Sequence, residues 1–164
     1  MSEATKKPHV LHVKDRGPEE SFSHPYGTRS KVSGTSLSDA TGLQRIGVHL
    51  LRIAPGHEAF AYHSHQTEEE WLYILSGRGV AVVDGQEHEV GPGDFMGFPT
   101  PSVAHVLRNP FSEELVYLAG GERHASEVAD FPEQKKRMVR VGGKVAVYPL
   151  ESGENPFPGM LEKL

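Results

Sequence analysis

Along residues 44–120 short apolar runs follow one another, separated by polar and turn-forming residues, and none repeats its apolar positions with a helical period. The runs are RIGVHLLRI (45–53), EAFAYHSH (58–65), EWLYILS (70–76), GVAVVD (79–84), QEHEV (86–90), FMGF (95–98), VAHVLRN (103–109) and ELVYLA (114–119). Pro55-Gly56, Gly77, Gly91-Pro92-Gly93-Asp94, Pro99-Thr100-Pro101 and Asn109-Pro110 punctuate them. Asp84-Gly85 stands between two strand-like runs, where a two-residue hairpin needs positive φ at both central positions. This pattern predicts an all-β fold, an antiparallel sandwich or barrel.

The flanks read differently. Residues 1–42 form an arm broken by glycine and proline, in which only VLHV (10–13) is strand-like. The division is an N-terminal arm at 1–42, a barrel core at 43–121 and a C-terminal extension at 122–164. Within the extension a weak helix is expected around 124–137, interrupted by Pro132. A hairpin is expected at 137–148, with Gly142-Gly143 turning RMVRV back on KVAVY.

Composition sharpens this picture in three places. Eighteen glycines and twelve prolines argue against a helical bundle. A net charge of -5 without a long basic run argues against a phosphate-tracking nucleic-acid binder. No apolar stretch approaches the roughly 18 residues that span a bilayer, and the first twenty residues lack a secretory apolar segment. The expectation is a soluble cytoplasmic protein with neither nucleic-acid nor membrane partners. Most telling is the absence of cysteine beside ten histidines: a transition metal held here must sit on nitrogen and oxygen.

His63-Ser64-His65, then Glu70, then His105 form the informative set. Alternate side chains of a strand share a face, so His63 and His65 project together. Glu70 shares a face with Leu72 and Ile74, and His105 with Val103 and Leu107, the faces a barrel fills with apolar side chains. A carboxylate aimed into such an interior is costly unless it is paired or bound to metal. A divalent cation would offset the desolvation of all four groups. The alternative is that both histidines are exposed strand residues, with Glu68, Glu69 and Glu70 forming a solvated acidic turn.

Gly56-(x6)-His63-x-His65-(x4)-Glu70-(x6)-Gly77 resembles the first signature motif of the cupin superfamily, and Gly93-Asp94-(x4)-Pro99-(x5)-His105-(x3)-Asn109 resembles the second. The EEWLYILSGRG strand, the VGPGDF turn and the YLAGGERHASEVADFP segment are also similar to a group of small single-domain cupins. The resemblance implies a double-stranded β-helix (jelly-roll) barrel. It implies one divalent metal ion per subunit (Zn, Mn, Fe or Ni) on His63, His65, Glu70 and His105. Two departures stand out: Gly56 and His63 are six residues apart rather than five, and Pro99-Thr100-Pro101-Ser102 replaces a shorter glycine-containing turn.

Four protein ligands leave an octahedral metal two open positions, where it would act as a Lewis acid or activate dioxygen beside a chelating small-molecule substrate. The expected function is a metal-dependent dioxygenase, isomerase or decarboxylase acting on a small organic acid or sugar derivative. The alternative is a metabolite-binding or sensing module without chemistry. No acid/base residue stands out: His49, His57 and His124 are weak candidates, and Tyr62 is out of phase with the ligands. If His63, His65 and Glu70 point inward, then Phe60, Tyr62, Trp71, Tyr73 and Leu75 point outward. That apolar face needs a cover, and a homodimer with arms packed at the interface is expected.

Overall fold

The computed structural model describes residues 7–154 and residue 156. Thirteen strands and one short helix follow in chain order. They are β1 (Glu20–Phe22), β2 (Val32–Ser36), α1 (Leu37–Thr41), β3 (Ile46–Ile53), β4 (Ser64–His65), β5 (Glu70–Ser76), β6 (Gly79–Val83), β7 (Gln86–Val90), β8 (Phe95–Phe98), β9 (His105–Arg108), β10 (Leu115–Glu122), β11 (Ser126–Phe131), β12 (Lys136–Val141) and β13 (Lys144–Pro149). Every strand pairing is antiparallel.

One layer of the jelly roll is a six-stranded sheet in the order β1-β2-β3-β10-β5-β8. The other joins β7-β6-β9 to β4-β11-β12-β13. At the join is an antiparallel bridge between His63 and His105, whose N–H groups donate to each other's carbonyls at 3.1 and 2.8 Å, and Glu58 bridges Arg108 of β9 further along the same segment. Ile53, Leu72, Ile74, Phe98, Leu107, Leu115 and Tyr117 fill the interior between layers. Period-two alternation supplies them: in β5, Leu72 and Ile74 are buried while Tyr73 and Leu75 are exposed. The Asp84-Gly85 hairpin forms as expected, with φ of 49° and 74°.

Several expectations from the sequence are corrected. VLHV is not a strand; Val13 instead begins a 3-10 turn. The arm contributes β1, β2 and α1, and β2 extends the first sheet through its pairing with β3. In EAFAYHSH the regular strand is confined to Ser64–His65, with isolated bridges at Glu58 and His63, and Phe60 between them adopts φ of 56°. Val103 lies outside β9 and is exposed, so only Leu107 shares the buried face of His105. No helix forms around 124–137: β11 alternates buried positions with less buried ones, and Pro132 opens a 3-10 turn that Lys135, at φ of 52°, reverses into β12. The β12–β13 hairpin is present, turned at Gly142-Gly143.

Candidate metal centre

His63, His65, Glu70 and His105 come together, one donor atom from each lying within 4.8 Å of the others. His63 and His65 flank Ser64 at β4, Glu70 opens β5, and His105 opens β9. The Nε2 atoms of His63 and His65 are 3.0 Å apart. Glu70 Oε2 lies 3.0, 3.5 and 3.9 Å from the Nε2 atoms of His105, His65 and His63. One ion bound at roughly 2.0–2.2 Å can span such separations.

The far side of each ring explains why the near side needs a cation. His63 Nδ1 faces the Ala61 carbonyl at 2.7 Å, His105 Nδ1 faces the Val103 carbonyl at 3.0 Å, and His65 Nδ1 faces Glu127 Oε1 at 3.3 Å. Each ring therefore carries its neutral-state proton on Nδ1 and aims the Nε2 lone pair inward. Three such lone pairs and a carboxylate repel one another unless positive charge sits among them. A proton serves two of the groups; a divalent cation serves all four. The donor set fits a divalent metal.

Packing holds these rings in place. His105 stacks on Phe98, with ring centres 3.6 Å apart and planes within 7°, and His63 lies over Phe131. The Pro99–Ser102 turn docks on β4: the Ser102 hydroxyl accepts from His65 N–H at 2.8 Å, and Ser102 N–H donates to the His65 carbonyl. The longer turn thus fastens the strand that carries His65 on its way to His105.

Burial pushes the His63 imidazole down to about 4. His65 moves the other way: burial would lower it, but Glu70 and Glu127 on either side outweigh that and raise it. Burial would raise Glu70, yet hydrogen bonds with His105 and His65 and the nearby imidazoles hold it far below the usual carboxylate range. The solvated acidic turn is ruled out, since Glu68 is 8% exposed and accepts from His124 N–H and the Arg140 guanidinium.

A cavity of about 590 Å³ leads to the centre. His63, His65 and Glu70 form its inner end; Leu51, Phe60 and Ala119 supply apolar wall, and Asp39, His49, Glu122, Arg123 and Arg140 supply polar wall. Phe60 thus points inward, against expectation, because its positive φ reverses the alternation. Both guanidiniums are already paired, Arg123 with Asp39 at 2.6 Å and Arg140 with Glu68. Of the weak candidates only His49 lines the cavity. It is half-buried on β3, not on the surface, and burial and then Arg123 lower its affinity for protons. His57 rests against the Arg29 carbonyl outside the cavity, and the Tyr62 hydroxyl accepts from Gly85 N–H, away from the ligands. Sequence reading missed Glu127, whose strand it took for helix, although the alternation of SEVADF could have revealed it.

A jelly roll with three imidazoles and a glutamate converging inside it, on two motifs of this spacing, defines a metal-site cupin architecture. The chain belongs to the cupin superfamily: the cupin domain family matches residues 49–120. A crystal structure from Acidithiobacillus ferrooxidans, described as that of a candidate sugar phosphate isomerase, is 35% identical over 90% of this chain and 96% of that one, with a TM-score of 0.87. A sugar phosphate isomerase of the cupin superfamily from Silicibacter pomeroyi is 24% identical over 89% of this chain and 96% of that one, with a TM-score of 0.78, a likeness of fold. An uncharacterised protein of Methanocaldococcus jannaschii is 39% identical over 57 residues, which is 35% of this chain and 45% of that relative, so the match spans less than half its length.

Proposed function

We propose that the chain is a metal-dependent isomerase acting on a small hydroxylated carbonyl compound of the sugar class. One observation carries this reading: four donors converge, and three of them, His63, His65 and Glu70, line a cavity large enough for a small metabolite. The likeness to the Acidithiobacillus ferrooxidans protein, spread over 90% of the chain, supports it.

His63, His65, Glu70 and His105 would hold one divalent ion, which supplies Lewis-acid polarisation of a substrate oxygen when bound. Leu51, Phe60 and Ala119 would exclude water from one side of the substrate. His49 is the group in this wall suited to proton transfer. Its lowered pKa leaves it neutral near pH 7, able to take a proton from the carbon bearing the hydroxyl and return it to the neighbouring carbonyl carbon. The C–H electrons form the enediol double bond as the carbonyl π electrons move to oxygen, and the hydroxyl proton passes to that oxygen, so the step balances with no other co-reactant.

Purified protein expressed with Mn, Fe, Zn and Ni should carry close to one equivalent of metal, and His105→Ala should lose at least tenfold in affinity. Metal-loaded protein should interconvert an aldose and its ketose, assayed on free and phosphorylated sugars, and His49→Gln should slow turnover at least a hundredfold. Wild-type protein without metal would overturn the reading at its root. A full metal complement with no isomerisation would leave the competing reading, a metabolite-binding module, which the paired state of Arg123 and Arg140 favours because neither guanidinium is free to grip an anion.

The reading includes a cytoplasmic homodimer. Tyr73, Leu75 and Phe95, all exposed on the outer face of β5 and β8, support the second subunit.

A further inference from the structure

Glu127 is 1% exposed, and a carboxylate so deeply buried is expensive without a compensating positive charge. Its oxygens accept from Gln66 N–H at 3.0 Å, from Thr67 N–H at 3.1 Å and from the Thr67 hydroxyl. These neutral donors fix its position and leave its charge unbalanced. Among the described residues its one ionisable partner is His65, at 3.3 Å through Nδ1. His65 is also the one ligand ring backed by a carboxylate; His63 and His105 are backed by backbone carbonyls. Glu127 reaches it because β11 lies antiparallel beside β4, with Ala129 opposite His65 and the Val128 carbonyl accepting from Gln66 N–H. β11 lies beyond residues 49–120, so the cupin motifs do not include this group.

We propose that Glu127 is a positioning residue of the metal centre: it orients His65 through the Nδ1 hydrogen bond and supplies the second negative charge that a divalent ion beside Glu70 requires. Glu70 and Glu127 together neutralise two positive charges, one by direct contact and one through the imidazole ring. The proposal rests on the metal reading above and adds to it a dependence on the C-terminal extension.

Cobalt(II) serves as the probe, with affinity from chelator competition and the visible spectrum reporting ligand geometry. Glu127→Gln should weaken cobalt binding by about 10–100-fold and shift the spectrum. Glu68→Gln, which alters a buried carboxylate that touches no ligand, should leave both within about threefold of wild type. A Glu127→Gln protein with wild-type affinity and spectrum would overturn the proposal. Failure of wild-type protein to bind cobalt would instead strike the metal reading. Should Glu127→Gln not fold, nitrogen-15 NMR of zinc-loaded wild-type protein decides. His65 Nδ1–H should resonate downfield of the Nδ1–H protons of His63 and His105, and equal shifts would overturn the assignment.

Discussion

At the scale of single residues the centre is a balance between groups that oppose one another. His63 holds its proton poorly, so below its ordinary value of 6.5 the unfolded chain binds a proton that the folded chain refuses. Its contribution to stability is full above pH 6.5 and lost as pH falls toward about 4. The raised His65 has the opposite sign: its contribution is full below its ordinary value and lost as pH rises through the folded one. Chelator-treated protein should therefore melt at the highest temperature near pH 6.5 and at lower temperatures on both sides. Metal-loaded protein should have its maximum at higher pH, because binding requires His65 without its second proton. Scanning calorimetry across pH 4–9, with and without metal, checks both. A metal-free melting temperature that rises steadily from pH 6.5 to pH 9 would contradict this account.

Among the elements, the legible and illegible parts of the sequence divide on physical grounds. β5, β6 and β10 were readable because each is a short apolar run of strand length bounded by turn-forming or polar residues. β1 is exposed throughout and β2 carries only one apolar residue, Val32; their pairing with β3 is a long-range event that local composition does not record. The candidate group of His63, His65, Glu70 and His105 was legible through its spacing in and beside β4, β5 and β9. Glu127 was not, since it meets His65 across 61 intervening residues. Phe60 was misplaced because a single positive φ undoes the alternation on which the inference depended. The extension has a structural role as well: Arg140 on β12 reaches Glu68 at the cavity wall. Arg140→Met removes the charged partner of a buried carboxylate and should cost roughly 1–3 kcal/mol in urea unfolding. A loss below about 0.3 kcal/mol would show that Glu68 is satisfied by His124 N–H alone.

For the whole molecule, two groups of exposed apolar residues stand out. Tyr73, Leu75 and Phe95 occupy the outer face of β5 and β8, and Val141, Val145, Val147 and Tyr148 occupy the β12–β13 hairpin. Light scattering on a sizing column should give twice the 18.0 kDa chain mass. Phe95→Glu should shift the protein to a monomer while leaving its circular dichroism intact, because Phe95 is 64% exposed in the isolated chain. A wild-type mass of 18.0 kDa would contradict the dimer.

The bridge between His63 and His105 lies at the seam where the three-stranded and four-stranded sheets of the second layer meet. Both of its residues are also proposed ligands, so an ion bound there would add a further tie to a seam that backbone hydrogen bonds already hold. Each tenfold rise of free ion above its dissociation constant adds about 1.4 kcal/mol to the folded state. The lifetime of the chain against proteolysis would thereby be tied to the supply of the ion around it.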